Sequence, residues 1–166
     1  TASGDQANPL FDPTCRQLFV IPDLKAKSQK QANGNVDQRF TDKVLEFTPR
    51  TQLGMIVNGC FLPLYPTSST PIPIMRNEEL FLIRAEANMQ LGNRAAALSD
   101  INFIRTTSGK LDPIADPGDP GLLNELLYNR WFSLMWAGGH RLADIRRYKQ
   151  LSELERLVRS TKLCTS

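Results

Sequence analysis

A chain of 166 residues has the length of one domain and can bury well over half of its unfolded surface in a core. Its content of 41% apolar and 22% charged residues is close to that of globular proteins, which excludes a chain that is disordered throughout. The net charge of +3 is too balanced to indicate a basic binding surface, and we expect no nucleic-acid partner.

The three cysteines, Cys15, Cys60 and Cys164, allow at most one disulfide and lie in no spacing that is typical of a metal site. Their number and spacing do not show whether the protein lies in an oxidising or a reducing compartment. No run approaches the roughly 18 apolar residues of a membrane span, and the N-terminal TASGDQANPLF lacks the basic-then-apolar order of a signal peptide. Either the chain is not exported, or it is a mature or truncated form.

Residues 1–75 contain most of the turn-forming dipeptides and prolines, including NG at Asn33 and Asn58 and the segment PLYPT. Proline removes a backbone donor and restricts the residue before it, so long helices are not expected here. We predict an irregular, loop-rich arm that packs on a larger scaffold. Short apolar runs at 17–21, 43–47 and 53–57 fit either strands or packed loop segments.

Four aromatic residues of this arm are candidate ligand contacts: Phe19, Phe40, Phe61 and Tyr65. They lie outside any helical stripe, in a stretch whose turns hold the backbone in fixed shapes. Tyr65 in PLYPT is the strongest candidate, because flanking prolines limit the conformational entropy that stacking on a sugar would cost. The alternative is that these rings pin the arm to the scaffold. We predict that the arm, rather than the helices, carries ligand recognition.

Residues 76–166 are predicted to be helical. A first helix begins after an N-cap at Asn77 and ends at Gly92, and a second begins after Asn93, so the short connection predicts an antiparallel hairpin. Apolar residues of the first helix recur at spacings of three and four, and this stripe is predicted to face the core: Leu80, Ile83, Ala87 and Leu91. The second helix is predicted to face inward with Ala97, Leu98, Ile101 and Ile104.

A third helix, LLNELLYNRWFSLMWA, is predicted to follow an N-cap at Asp119. Because it is apolar around most of its circumference, we expect it at the centre, packed on several sides. A fourth helix, RLADIRRYKQL, follows, and Ser152 with Glu155 forms a capping box that would restart a helix. The arm and the helices are expected to form one domain.

The segment GGHRLADIRRY contains the single histidine, His140, but no cluster of further ligands that would complete a metal site. Its position at a helix start favours capping or packing. The arginines of this segment could grip phosphates, but Asp144 lies three residues from Arg141 and from Arg147, where helical neighbours form ion pairs.

We therefore predict a partly buried polar network that contains Arg141 and Asp144, with Arg84 or Glu86 from the first helix. The sequence has neither a G-x-S-x-G turn nor a HExxH motif, and TTSGK has one glycine where a phosphate-binding loop has several. We expect no catalytic residue, no cofactor and no metal. A hydrolase would require a reactive residue that is not visible in the sequence.

Two stretches together resemble the C-terminal half of the SusD/RagB family: PIPIMRNEELFLIRAEANMQLGNRAAALSDINFIR and LLNELLYNRWFSLMWAGGHRLADIRRY. Arg76 and Glu79 match the R-x-x-E entry of a helix in that family, 97–105 match its A-L-x-x-I-N-x-I-R run, and 139–148 match its G-H-R-x-x-D-x-R-R segment. VDQRF, with Asp37 and Arg39, resembles the D-x-R segment upstream. Ser133, Ala137 and Gly138 depart from the glutamates that are usual before the glycine.

The resemblance implies a mainly α fold, in which TPR-like antiparallel hairpins pack with the loop-rich N-terminal arm. It also implies a non-enzymatic component that binds an oligosaccharide or another nutrient and works with a TonB-dependent transporter, exposed on the cell outer membrane. Family members are much longer, so the chain is expected to be a fragment or a short member. The alternative function is a TPR-like helical module whose groove binds protein.

Overall fold

The computed structural model describes residues 6–15, 18–20, 22–52, 54–137 and 140–150. The predicted mainly α fold is confirmed. Residues 151–166, with the predicted capping box of Ser152 and Glu155, lie outside the described part. The elements in chain order are β1 (Phe19–Val20), α1 (Pro22–Ala26), α2 (Gln38–Lys43), β2 (Leu45–Gln52), β3 (Met55–Cys60), a short 3-10 helix (Leu62–Leu64), α3 (Asn77–Gln90), α4 (Arg94–Thr107), α5 (Gly118–Ser133) and α6 (His140–Arg147).

The arm contains a three-stranded antiparallel sheet in the order β1–β3–β2, and each apolar run contributes to it, with 19–20, 45–47 and 55–57 in its strands. The dipeptide of Asn58 and Gly59 lies inside the central strand and not at a turn. A Cβ at Gly59 would approach Val44 Cγ1 to 2.9 Å, which explains why the strand has glycine there. A disulfide joins Cys15 to Cys60 and so fixes the loop before β1 to β3.

The predicted hairpin is formed by α3 and α4. The rings of Phe81 and Phe103 lie 4.7 Å apart, and Arg84 pairs with Asp100, so later positions of α3 meet earlier positions of α4 and the helices run antiparallel. Gly92 supplies the turn with φ +77°, a conformation that favours glycine. The predicted inward face of α4 is confirmed, with Leu98 partly buried and three residues fully buried: Ala97, Ile101 and Ile104.

The predicted inward face of α3 is wrong. The helix faces the core with Leu82 and Ala85, whereas the predicted stripe is on the outside: Leu80, Ile83, Ala87 and Leu91 are all exposed. The reason is that α3 has apolar residues on two opposite sides. Periodicity detects both sides but does not determine which of them has a partner.

The helix α5 lies at the centre, as predicted, in contact with α2, α3, α4 and α6. Two hydrophobic clusters meet on it. One joins the arm to Phe132 and Met135, and the other joins α3 and α4 to Leu122 and Leu126. None of the helices within the described ranges is both long and apolar enough to cross a lipid bilayer.

Candidate functional site

The aromatic residues of the arm do not form an exposed surface. Phe40, Phe61 and Tyr65 expose only 2%, 4% and 2% of their surface, and Phe19 is half-buried in β1. The three buried rings belong to the cluster that includes Phe132 of α5, so they pin the arm to the helices, which is the alternative that the sequence left open. A sugar stacks on an accessible ring face. The burial of Phe40, Phe61 and Tyr65 leaves no ring face open to a sugar in this packing, and the ligand role of the four arm aromatics stays a prediction.

A buried polar cluster fastens the arm to α5. Asp37 caps α2 by accepting a hydrogen bond from the backbone N of Arg39, at 2.9 Å, and its carboxylate pairs with the Arg39 guanidinium at 2.9 and 2.5 Å. The same guanidinium donates to Asn129 Oδ1 at 2.9 Å and to Ser133 Oγ at 3.0 Å. The buried charges are paired and hydrogen-bonded, so the D-x-R segment joins two parts of the fold.

Two further groups extend this cluster. The Tyr128 hydroxyl donates to Asp37 Oδ2 at 2.8 Å, and burial together with that carboxylate raises the pKa of Tyr128. Lys43 Nζ donates to the carbonyl oxygens of Phe132 and Ser133, at 2.7 and 2.6 Å, where α5 ends. A cation is favourable at a helix C-terminus, but burial lowers the pKa of Lys43 to about 8.

A second polar network lies between α3, α5 and α6, and its centre is Arg130. The Arg130 guanidinium donates to Glu86 Oε2 at 2.5 Å and to Asp144 Oδ1 at 2.9 Å. Arg147 lies 3.0 Å from Glu86 Oε1, and the Tyr148 hydroxyl donates to the same oxygen. The structure thus brings together Glu86 and Asp144, two of the four residues predicted for such a network, through an arginine that the prediction did not include.

The other two predicted members have different neighbours. Arg84, whose side chain is mostly exposed, pairs with the buried carboxylate of Asp100 across the α3–α4 hairpin. The Arg141 guanidinium lies 4.6 Å from the centre of the Trp131 ring, in cation–π geometry. One signal in the sequence could have identified Arg130: it is the only basic residue of the central helix, and a buried arginine must be paired.

The protonation states of Glu86 and Tyr148 in this network do not change near neutral pH. Burial alone would raise the pKa of Glu86, but hydrogen bonds from Tyr148 and Arg130 and the nearby positive charges outweigh it, so its pKa is lowered. Burial and the hydrogen bond to Glu86 raise the pKa of Tyr148 to about 12. Glu86 is therefore charged and Tyr148 neutral over the physiological range, and neither group titrates there.

An open groove of about 420 Å³ lies next to this network and shares Tyr148 with it. Its lining is mostly apolar and includes Arg94, which pairs with Asp116 and Asp119. The volume falls within the range of small-molecule sites. The lining residues are Met89, Gln90, Arg94, Asp119, Pro120, Leu122, Leu123 and Tyr148.

One exposed aromatic residue lies between α5 and α6. Trp136 exposes 43% of its surface, and its backbone has φ 59°, which is uncommon for a residue with a large side chain. The Phe61 ring supports it edge-on, at 5.5 Å between ring centres. Non-glycine residues in this conformation cluster at functional sites, so Trp136 is a ligand-contact candidate. It belongs to the stretch LLNELLYNRWFSLMWA, which the sequence predicts to be a central, packed helix.

Metal-binding chemistry has no support within the described ranges, where the side chains form no group of three or more candidate ligands. His140 begins α6, and its Nε2 lies 3.5 Å from Glu79 Oε1. This contact joins the start of α6 to the first turn of α3, which is the packing role predicted for the histidine.

The SusD family model matches residues 65–159, more than half of the chain. Among solved structures, a SusD superfamily protein from Bacteroides vulgatus ATCC 8482 is similar, with a TM-score of 0.59 and 20% sequence identity. The match covers 83% of this chain and 33% of that one, so the chain spans about a third of its structural relative. No functionally curated protein matches the chain.

Proposed function

The chain belongs to the SusD family, and from that premise we propose that it is part of a nutrient-binding protein of the outer membrane, which presents an oligosaccharide to a TonB-dependent transporter. The observation that carries the proposal is the family match over residues 65–159, which includes the α3–α4 hairpin and the Arg130 network. Proteins of this family are binding proteins and not enzymes. In this proposal the 166 residues supply a rigid helical scaffold.

The disulfide between Cys15 and Cys60 supports a location outside the cytoplasm. Such bonds persist in oxidising compartments, including the periplasm and the cell surface, and are rare where thiols are kept reduced. A rigid scaffold also suits binding, because a preorganised surface loses little conformational entropy when a ligand associates.

Within these residues, Trp136 is the proposed contact to the sugar. An exposed indole offers a flat apolar face to a sugar ring, and its edge-on contact with Phe61 fixes the direction in which that face points. The groove between α3 and α5 is a second surface that a small ligand could occupy. The two surfaces are distinguished by which substitution abolishes binding.

Saturation-transfer NMR with a panel of neutral oligosaccharides tests the proposal. We expect transfer to at least one sugar, loss of that transfer in Trp136→Ala, and its retention in the control Phe103→Ala, which removes a similarly exposed ring from α4. Retained binding in Trp136→Ala together with loss in Leu123→Ala would move the site to the groove. If no oligosaccharide gives transfer, the glycan proposal is wrong.

The transporter partner is tested separately. Affinity purification of the protein from outer membranes of its own host, followed by mass spectrometry, is expected to recover a TonB-dependent barrel. Recovery of a soluble protein instead, independent of any sugar, would favour the alternative function of a TPR-like interaction module.

A further inference from the structure

The C-terminal end of α6 lies beside the open groove between α3 and α5. Tyr148, the residue that follows this helix, lines the groove together with Met89 of α3 and Leu123 of α5. The lining is mostly apolar. Apolar surface gains stability when it is removed from water, so a concave apolar surface of this kind favours an occupant.

The chain changes direction immediately after Tyr148. Lys149 has φ 55°, in the left-handed region, and the backbone N of Gln150 donates to the carbonyl oxygen of Ile145 at 2.9 Å. The backbone N of Lys149 also donates to the carbonyl oxygen of Arg146, at 3.4 Å. This pair of bonds around a left-handed residue is a Schellman motif, which ends a helix and redirects the chain. Residue 151 therefore follows directly after a turn at the edge of the groove.

The next residues, which lie outside the described part of the chain, have an amphipathic sequence. The capping box of Ser152 and Glu155 predicts that a helix starts here. At 3.6 residues per turn, Arg156 falls on the polar side of such a helix. The apolar residues of the segment fall on the opposite side: Leu151, Leu154, Leu157 and Val158.

We propose that the segment 151–159 docks in this groove, with the apolar side of its helix against Met89 and Leu123. Two observations select this occupant. The described chain leads to the groove through Tyr148 and the turn at Lys149, and the segment has an apolar side that matches the apolar lining. A helix of eight residues spans about 12 Å, which suits a groove of small-molecule size.

The connection to α6 favours this occupant over a separate molecule. A segment that is joined to its site by a short linker has an effective concentration of the order of millimolar, so weak contacts are enough to hold it there. A groove that is filled in this way is closed to a small ligand, which leaves Trp136 as the sugar contact. The docking itself does not depend on which nutrient or transporter the protein serves, and its failure would leave the proposed function unchanged.

Site-specific photo-crosslinking in the full-length protein tests the docking. A photoreactive phenylalanine analogue replaces Leu154, and the same analogue at Arg156, two residues further along and on the polar side, is the matched control. The proteins are mixed as ¹⁵N-labelled and unlabelled copies, so that mass spectrometry separates crosslinks within one chain from those between chains. We expect position 154 to crosslink within one chain to a peptide that contains Met89 or Leu123, and position 156 to give no such product.

The docking is overturned if position 154 gives no crosslink to these peptides, or if its crosslinks join two copies of the chain or reach another protein. The same product from positions 154 and 156 would also overturn it, because a segment without a fixed side would then be in contact with the groove.

Methionine oxidation gives a second measurement without a photoreactive group. Dilute hydrogen peroxide oxidises accessible thioethers, and Met75, which exposes 57% of its surface, reports the rate of an open methionine in the same chain. We expect Leu154→Gln to raise the oxidation rate of Met89 severalfold, while Arg156→Gln leaves it unchanged and neither substitution alters Met75. An unchanged rate at Met89 in Leu154→Gln would show that the segment does not cover the groove.

Discussion

At the scale of single residues, Arg130 explains why α6 stays attached to the helical core. A buried guanidinium is tolerated only when it is paired, and here one side of it meets Glu86 of α3 and the other meets Asp144 of α6. The two carboxylates and the two arginines, Arg130 and Arg147, balance in charge. The same contacts that neutralise Arg130 therefore hold three helices together.

Removal of Asp144 should be strongly destabilising. Asp144→Ala leaves one side of the buried Arg130 guanidinium without its partner, and the loss of one member of a buried pair typically costs about 3–5 kcal/mol. Urea denaturation followed by circular dichroism would measure the change in the free energy of unfolding. The control is Lys25→Ala, which removes a pair with Glu46 that is exposed on both sides and is expected to change stability little. Equal effects of the two substitutions would contradict the burial of the network.

The buried Lys43 predicts a pH dependence of stability on the alkaline side. Its folded pKa of about 8 lies below the ordinary value of 10.5, so between these values the unfolded chain binds more protons than the folded one. The free energy of unfolding should then rise with pH in this interval, by at most about 1.4 kcal/mol per pH unit, relative to Lys43→Met. Below about pH 8 both states carry the proton and this slope vanishes.

Urea unfolding of the wild type and of Lys43→Met, at several values from about pH 7 to pH 10, measures this difference directly. Groups common to both proteins, such as the tyrosines, cancel in the comparison. A constant difference across the interval would show that Lys43 keeps an ordinary pKa in the folded protein.

At the scale of elements, the sequence predicted where the helices begin better than it predicted which face of α3 is buried. The predicted caps Asn77 and Asn93 and the glycine Gly92 are local signals, and the observed starts of α3 and α4 lie within one residue of those predicted. The N-cap of α3 is Arg76 rather than Asn77, and Asn93 at the N-cap of α4 makes no side-chain capping hydrogen bond. The face of α3 could not be predicted in the same way. A choice between two opposite apolar sides depends on distant parts of the chain, which local periodicity does not contain.

The exposure of individual aromatic rings also depends on distant parts of the chain. The sequence predicted the arm aromatics to lie outside helices, but Phe40 is buried on α2, and exposure is a property of the packed chain. Tyr65 and Phe61 fill the core between arm and α5, whereas Trp136 became exposed because α5 ends at Ser133, before the indole. The boundary of that helix, a feature that sequence determines only to within a few residues, therefore decided which ring was accessible.

The connection between α4 and α5 depends on a small residue. A Cβ at Gly109 would approach the backbone oxygen of Arg105 to 2.9 Å and Arg39 Nη2 to 3.0 Å, and Gly109 O accepts a hydrogen bond from Gln38 N at 2.9 Å. Gly109→Ala should therefore disturb the buried Arg39 cluster and lower stability by about 1–3 kcal/mol. Thermal unfolding would measure this loss, with Ser108→Ala as the neighbouring control. An unchanged melting temperature would show that the cluster accommodates a methyl group.

At the scale of the whole molecule, the arm and the helices share one structure because several different interactions join them. The arm contributes rings to the core on α5, Asp37 and Arg39 form the buried polar cluster, and Gln29 bonds to both Arg105 and Glu125. These contacts connect residues that are far apart in sequence. Stability of the arm should therefore follow stability of the helices in one cooperative transition.

The disulfide between Cys15 and Cys60 stabilises the folded protein through its effect on the unfolded state. It closes a loop with a sequence separation of 45 residues, and such a crosslink lowers the entropy of the unfolded chain, with a typical stabilisation of about 2–4 kcal/mol. Dithiothreitol should lower the urea midpoint of the wild type by a corresponding amount and leave the double variant Cys15→Ser, Cys60→Ser unchanged.

Thiol titration in denaturant, without reductant, should find a single free thiol per chain, since two of the three cysteines are paired. Three titratable thiols in protein purified from an oxidising compartment would contradict the disulfide, and with it the support that this bond gives to a location outside the cytoplasm.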